Sequence, residues 1–150
     1  MQKILVSSCL LGARVRYDGQ TKKVGSTLLS TWQEQGRLIT FCPEVEGGLS
    51  VPRAAAEIQG HHVVNIEGED VTQAFILGAH KALALCKKHQ IRIAILKEGS
   101  PSCGLSQIND GTFQGIKIAG QGITARLLLE HGIDVFNEYQ LHAVKKLIEQ

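Results

Sequence analysis

Four cysteines, Cys9, Cys42, Cys86 and Cys103, are the residues of this 150-residue chain best suited to chemistry. A thiolate is both a nucleophile and a soft metal ligand. No two of them form a CxxC pair, so the usual zinc-ribbon and ferredoxin spacings are absent. Position is more telling than spacing. Cys9, Cys42 and Cys103 each follow a short apolar run that reads as a strand, namely Lys3 to Ser7, Leu38 to Phe41 and Ile91 to Leu96. Loop cysteines amid glycine, serine and proline have backbone N–H donors around them, which lowers a thiol pKa and suits a shared metal site. The plainer alternative stays open at this level, because free cysteine is among the most buried residue types. Cys86 takes that plainer reading, since it recurs with Phe75, Ile76, Ala79 and Leu83 on the apolar face of a long helix.

The elements that must position these thiols alternate. Ser26 is a candidate N-cap for a helix to Gln35, followed by the buried strand at Leu38 to Phe41 and an irregular loop around Pro43, Gly47-Gly48 and Val51-Pro52. Glu57 to Gly68 reads as a two-stranded excursion with the surface pair His61-His62 near its turn. A helix over Val71 to His89, capped by Thr72, leads to the third strand; a helix over Thr124 to Glu130, a strand over Asp134 to Phe136 and a helix over Glu138 to Ile148 close the chain. Strands alternating with helices predict one α/β domain over residues 1–150. Its expected form is a small Rossmann-like three-layer fold, with a mostly parallel sheet and helices on both faces. Ligands collect outside the carboxyl ends of the strands in such sheets, which is where all three loop cysteines fall.

Composition narrows the partners. Sixteen basic against fourteen acidic residues give a formal charge of +2, too little for a dedicated nucleic-acid binder. No apolar run approaches the ~20 residues that span a bilayer, so no membrane partner is expected. The N-terminus MQKILVSSCLLG lacks a cleavage pattern, and four cysteines without a secretory signal predict a cytoplasmic protein with reduced thiols. Arg14, Arg16, Lys22 and Lys23 place positive charge near Cys9; they suit either a phosphate or a solvated loop. Gly120 and Gly122 before a helix are a weak anion signal.

Six segments in order, SSCLLG (Ser7 to Gly12), VRYDG (Val15 to Gly19), CPEVEGGLSVPR (Cys42 to Arg53), GEDVTQAF (Gly68 to Phe75), ILKEGSPSCG (Ile95 to Gly104) and DGTF (Asp110 to Phe113), resemble one family. Its characterised members are thiouracil desulfidases. Ser50 stands where the pattern has a proline, and Ala54 to Ala56 replace a more proline-rich stretch. The resemblance implies a 4Fe-4S cluster on Cys9, Cys42 and Cys103, with one iron left open to bind the thiocarbonyl sulfur of a thiopyrimidine or its nucleotide. Water then replaces sulfur, without net redox change, and sulfide is released. Such hydrolysis needs a base, for which Glu44 is best placed; the alternative is a loop-capping carboxylate. Ser100 and Ser102 flank Pro101 beside Cys103, where a hydroxyl can bond substrate or cluster sulfur. Lys97 is a candidate partner for the cluster charge or a ring oxygen, and Tyr17 and Asp18 are candidates to line the pocket. Two competing readings are a thiol-based redox or sulfur-transfer protein without a cluster, and a non-enzymatic metal- or nucleotide-binding module.

Overall fold

The computed structural model describes residues 1–13, 16–19 and 26–149. In chain order its elements are β1 (Ile4–Ser7), α1 (Thr27–Glu34), β2 (Leu38–Phe41), α2 (Pro43–Glu46), β3 (Ala56–Gln59), β4 (His62–Asn65) and α3 (Thr72–His89). There follow β5 (Ile93–Leu96), β6 (Gln107–Asn109), β7 (Lys117–Ala119), α4 (Ile123–Glu130), β8 (Asp134–Asn137) and α5 (Leu141–Ile148). Four strands form a parallel sheet in the order β2-β1-β5-β8, with Ile4 opposite both Leu38 and Ile93, and Ile93 opposite Asp134. From β1 the chain steps to one side for β2 and later to the other side for β5. The junction of β1 and β5 is therefore the topological switch point, where parallel sheets open a crevice.

The continuous apolar runs of β1 and β5 are buried because both sheet faces are covered. Leu5, Ala94, Leu96 and Val135 face α3 and α4 through Ala82, Leu83, Cys86, Ala125 and Leu128. Ile4, Val6, Ile93 and Ile95 face α1 and α5 through Leu29, Trp32, Leu141 and Val144. Burying each large aliphatic side chain contributes about 1.5–3 kcal/mol, so these two layers hold the sheet rigid. The expected three-layer α/β fold is what the chain adopts.

Several local expectations change. β2 is half-buried rather than buried, with Thr40 exposed, because it lies at the sheet edge. Ser26 caps α1 as expected, its hydroxyl accepting the Leu29 N–H at 3.4 Å. Thr72 does not cap α3. It lies inside the first turn, where its N–H donates to Asp70 Oδ1 at 2.9 Å and its hydroxyl accepts the Val63 N–H at 2.8 Å, tying α3 to β4. α5 begins three residues later than expected because Asn137 and Gln140 are committed to a turn, with Gln140 Oε1 accepting the Asn137 N–H. The β3–β4 hairpin is present as expected. The β6–β7 hairpin was not anticipated, since its three-residue strands leave β7 wholly exposed and show no useful apolar alternation.

Pro43 does not merely break a strand. It opens α2, a position where its fixed φ and missing N–H cost nothing. α2 sits on α3 at backbone contact: a methyl group on Gly78 would fall 1.9 Å from the Pro43 carbonyl oxygen, and one on Gly47 2.0 Å from that of Ala74. Alanine is intrinsically the better helix former by about 1 kcal/mol, so Gly78→Ala separates propensity from packing. We expect the substitution to destabilise the fold by about 1–3 kcal/mol, read as a lower midpoint in thermal unfolding.

Candidate active site at the carboxyl edge of the sheet

Three strand ends deliver three thiols to one place. Cys9 lies in a 3-10 turn, Ser8–Leu11, directly after β1; Cys42 is the residue between β2 and α2; Cys103 lies in the loop after β5. All three line a cleft of about 500 Å³, together with Tyr17, Glu44, Lys97, Ser100 and Ser102. Asp18 is not among the lining residues and pairs with Arg16 at 3.7 Å. Arg16 lines the cleft, with its guanidinium carbon 5.9 Å from the Tyr17 ring centroid; Arg14, Lys22 and Lys23 lie outside the described residues. Cys86, on the buried face of α3, is core packing and 1% exposed. The Gly120–Gly122 approach serves no anion: the Gly122, Ile123 and Thr124 N–H groups donate to the carbonyls of Gly104, Pro101 and Ser102, seating α4 on the cysteine loop. His61 and His62 are exposed at their turn, as expected.

The thiols behave differently from the expectation of lowered pKa. Burial pushes Cys9 up to about 11, with the neighbouring Cys42 adding to the shift. Burial likewise raises Cys42, against the pull of the Val45 N–H, and pushes Cys103 up to about 12 despite the hydrogen bond from Ser7. Desolvation outweighs the local donors because these loops fold down into the cleft floor. Among the described residues, no three histidine, cysteine or acidic side chains close in as they would around a single metal ion. Ser7, which sequence reasoning did not single out, accepts the Lys97 N–H at 3.0 Å and donates to Cys103 Sγ at 3.4 Å, so β1 and β5 meet at the thiol itself.

A second set of groups lies beside the thiols. Ser102, 1% exposed, donates to Glu44 Oε2 at 2.8 Å, with its oxygen 3.6 Å from Cys103 Sγ. One hydroxyl proton serves one acceptor, and the short contact to the carboxylate wins. Ser100 Oγ accepts the Cys103 N–H at 2.7 Å and the Ser102 N–H at 3.2 Å, leaving its proton for Ser102 Oγ at 3.1 Å. Arg53 grips the other oxygen of Glu44 through Nε at 3.2 Å and Nη2 at 3.1 Å. Glu44 thus bonds side chains rather than capping a loop, and its carboxylate points along a chain of hydroxyls that ends at Cys103. Arg53 closes the CPEVEGGLSVPR segment, so its presence in the motif was the available signal.

Glu98 organises the rest of the Cys103 loop. Its carboxylate accepts the N–H groups of Gly99, Leu105, Ser106 and Gln107 at 2.8–3.1 Å and the Asn137 amide at 2.8 Å. Burial alone would raise its pKa; the hydrogen bonds from Asn137, Gln107 and Ser106 overcome that and hold it at about 2. Lys97 Nζ pairs with Glu138 at 3.1 Å and donates to the Glu98 carbonyl at 2.7 Å, while Glu138 also accepts the Glu98 N–H at 2.8 Å. Neither Glu98 nor Glu138 was foreseen, although Glu98 sits within ILKEGSPSCG.

A parallel α/β sheet with three thiols, a serine-linked carboxylate and its arginine at the switch-point crevice defines a small α/β protein with a sulfur-rich cleft. The chain belongs to the 2-thiouracil desulfurase family, whose model matches residues 4–140. It is similar to a solved structure described as the 4Fe-4S-dependent thiouracil desulfidase TudS, at 52% identity and a TM-score of 0.98 over 99% of each chain. It is also 41% identical to the uncharacterized protein YbbK of Bacillus subtilis (strain 168), over 94% of this chain and 99% of that one. No helix among the described residues is long and apolar enough to cross a membrane.

The Glu98 clamp makes stability depend on acid in a defined window. A folded-state pKa held below the ordinary 4.5 stabilises the fold above that value, and the contribution is lost as pH falls from about 4.5 toward about 2. Denaturant unfolding across this range is expected to show that decline in the wild type. Glu98→Gln, which lacks the titrating charge, is expected to be less stable at neutral pH and to show a shallower decline.

Proposed function

We propose that the chain is an iron-sulfur-dependent desulfidase that replaces the thiocarbonyl sulfur of thiouracil, free or as its nucleotide, with oxygen from water. The reaction balances: one thiocarbonyl and one water give one carbonyl and one hydrogen sulfide, with no change of oxidation state. The observation that carries this reading is the meeting, in one cleft, of three thiols and a carboxylate joined through Ser102.

The donor set suits a cluster. Three clustered thiols whose pKa values are raised by burial, and in part by one another, become stable as thiolates only when cations share their charge, which is the condition of a metal-bound cysteine. Their looser grouping, unlike that around a single ion, fits a group in which each thiolate takes a separate iron. Cys9, Cys42 and Cys103 would hold a 4Fe-4S cluster with one iron free of protein ligand. Bound there, the cluster supplies a soft Lewis acid that draws electrons from the thiocarbonyl sulfur. The same raised pKa values speak against a cluster-free thiol nucleophile, which needs a lowered one.

The protein's own groups then have separate tasks. Glu44 takes a proton from the attacking water at Oε2, with Arg53 fixing its carboxylate by two bonds to Oε1. Ser102 bridges that carboxylate to the Cys103 region, and Ser100 holds the backbone N–H groups on which Ser102 and Cys103 turn. Ser7 donates to the Cys103 sulfur and lowers its electron density. Lys97 places positive charge near Cys9, whose thiol it favours in the ionised form. Tyr17 supplies wall area for a planar ring. Thiolates that hold a cluster are best kept in a reducing compartment, which supports a cytoplasmic location.

The test is anaerobic reconstitution with iron and sulfide, followed by iron counting, a visible spectrum and sulfide release from 2-thiouracil. Four irons per chain and sulfide release are expected, lost in Cys9→Ala, Cys42→Ala and Cys103→Ala and kept in Cys86→Ala. Failure to form a cluster under any reducing condition, or turnover by the cluster-free chain, overturns the reading. Glu44→Gln is expected to keep the cluster spectrum while kcat falls by about 10²- to 10⁴-fold, the usual loss on removing a general base.

A further inference from the structure

The β6–β7 hairpin carries a residue in a costly conformation. Phe113, at the hairpin tip, has φ +59°, a left-handed backbone that a bulky side chain rarely adopts. Glycine, which takes that conformation freely, stands two residues away on either side, at Gly111 and Gly115. The strain is held in place from outside the hairpin. Glu57 on β3, 6% exposed, accepts the N–H groups of both Gly111 and Phe113 with one oxygen, at 2.9 and 3.2 Å. Gln59 Nε2 donates to the Gly111 carbonyl at 2.8 Å, and Gly111 packs so tightly that a methyl group there would meet the Ile58 carbonyl oxygen at 2.9 Å.

Packing does not account for the aromatic side chain. Phe113 belongs to neither apolar layer of the fold, yet it lines the catalytic cleft with Tyr17, Phe41 and Ile66. A strained residue fixed by a buried carboxylate and turned to a cleft is the pattern of a functional site. We infer that Phe113, held by Glu57, is the stacking platform for the substrate's planar ring and selects heteroaromatic thiones over acyclic ones. The inference rests on the desulfidase reading for the identity of that ring. Stacking recognises the π face and not the sulfur, so the oxygenated product is held by the same contact.

Phe113→Asn tests it, because asparagine tolerates the left-handed backbone and removes only the ring. In the reconstituted protein the variant is expected to keep the cluster spectrum and to unfold no earlier than the wild type. Its Kd for uracil, by calorimetry, and its KM for 2-thiouracil are both expected to rise about tenfold, within the range for loss of one base–aromatic stack. kcat is expected to stay within about threefold, and Phe113→Tyr to recover both constants. KM for thiourea, which has no ring to stack, is expected to be unchanged. Unchanged uracil affinity in Phe113→Asn overturns the inference, as does a wild type that does not bind uracil. Wild-type protein that binds uracil but releases no sulfide from 2-thiouracil overturns the desulfidase reading alone, and the uracil Kd still decides the role of Phe113.

Discussion

The carboxylate of Glu98 answers a problem that any long irregular loop creates. Residues 97–106 have no sheet or helix to receive their N–H groups, and the loop must still fold down over the ends of β1 and β5. One charged acceptor gathers the N–H groups of Gly99, Leu105, Ser106 and Gln107, and the Asn137 amide brings in the end of β8. Charge-assisted bonds are about twice as strong as neutral ones, which is why they overcome the desolvation of the carboxylate. Cys103, the start of the β6–β7 hairpin and the Lys97–Glu138 pair all inherit their positions from this hub. A single isolated bond from each N–H to water would hold none of them in register.

The cleft floor combines groups that oppose each other electrostatically. Burial disfavours thiolates at Cys9, Cys42 and Cys103; Cys42 adds to the cost at Cys9, and Cys42 and Cys9 add to it at Cys103. The protein offsets this only in part, with the Ser7 hydroxyl at Cys103 and the Lys97 and Arg16 charges at Cys9. Under the proposed function the remaining balance comes from iron, so loading the cluster changes the protonation of the floor as well as its metal content. Glu44 joins this balance at Cys42, whose thiol its charge pushes up while the Arg53 charge pulls it down. Its partners are Arg53 and Ser102, and the paired guanidinium lets a carboxylate stand near thiolates without adding an unopposed charge.

What was legible in the sequence follows from how local each signal is. The parallel sheet and its two helical layers were readable because β1 and β5 are continuous apolar runs and α3 repeats its apolar face over eighteen residues. Convergence of Cys9, Cys42 and Cys103 was readable because strand ends share one edge in such a sheet. Lost were features decided by distant partners. Ser7, Arg53, Glu57 and Glu138 look like ordinary polar residues until the fold supplies Cys103, Glu44, Phe113 and Lys97 opposite them. The thiol pKa direction was misjudged for a related reason: neighbouring N–H groups are visible in a sequence, whereas depth is not. The β6–β7 hairpin escaped because three-residue strands give too few residues to show a period.

The division of labour in the cleft reflects two kinds of rigidity. The thiols, Glu44 and Ser102 stand on or beside strand ends clamped between two apolar layers, so their mutual geometry is fixed by the core. The facing walls come from β3–β4 and β6–β7, two-stranded ribbons that are marginal alone. These ribbons gain order from each other, through Glu57 and Gln59 on one and Gly111 and Phe113 on the other. Changes in the ribbons therefore alter the shape offered to a ligand while leaving the thiol floor in place, whereas changes at the strand ends disturb both. Under the proposed function, a chemistry that demands precise sulfur positions and the surface that receives the substrate are thus carried by physically separate parts of the same small fold.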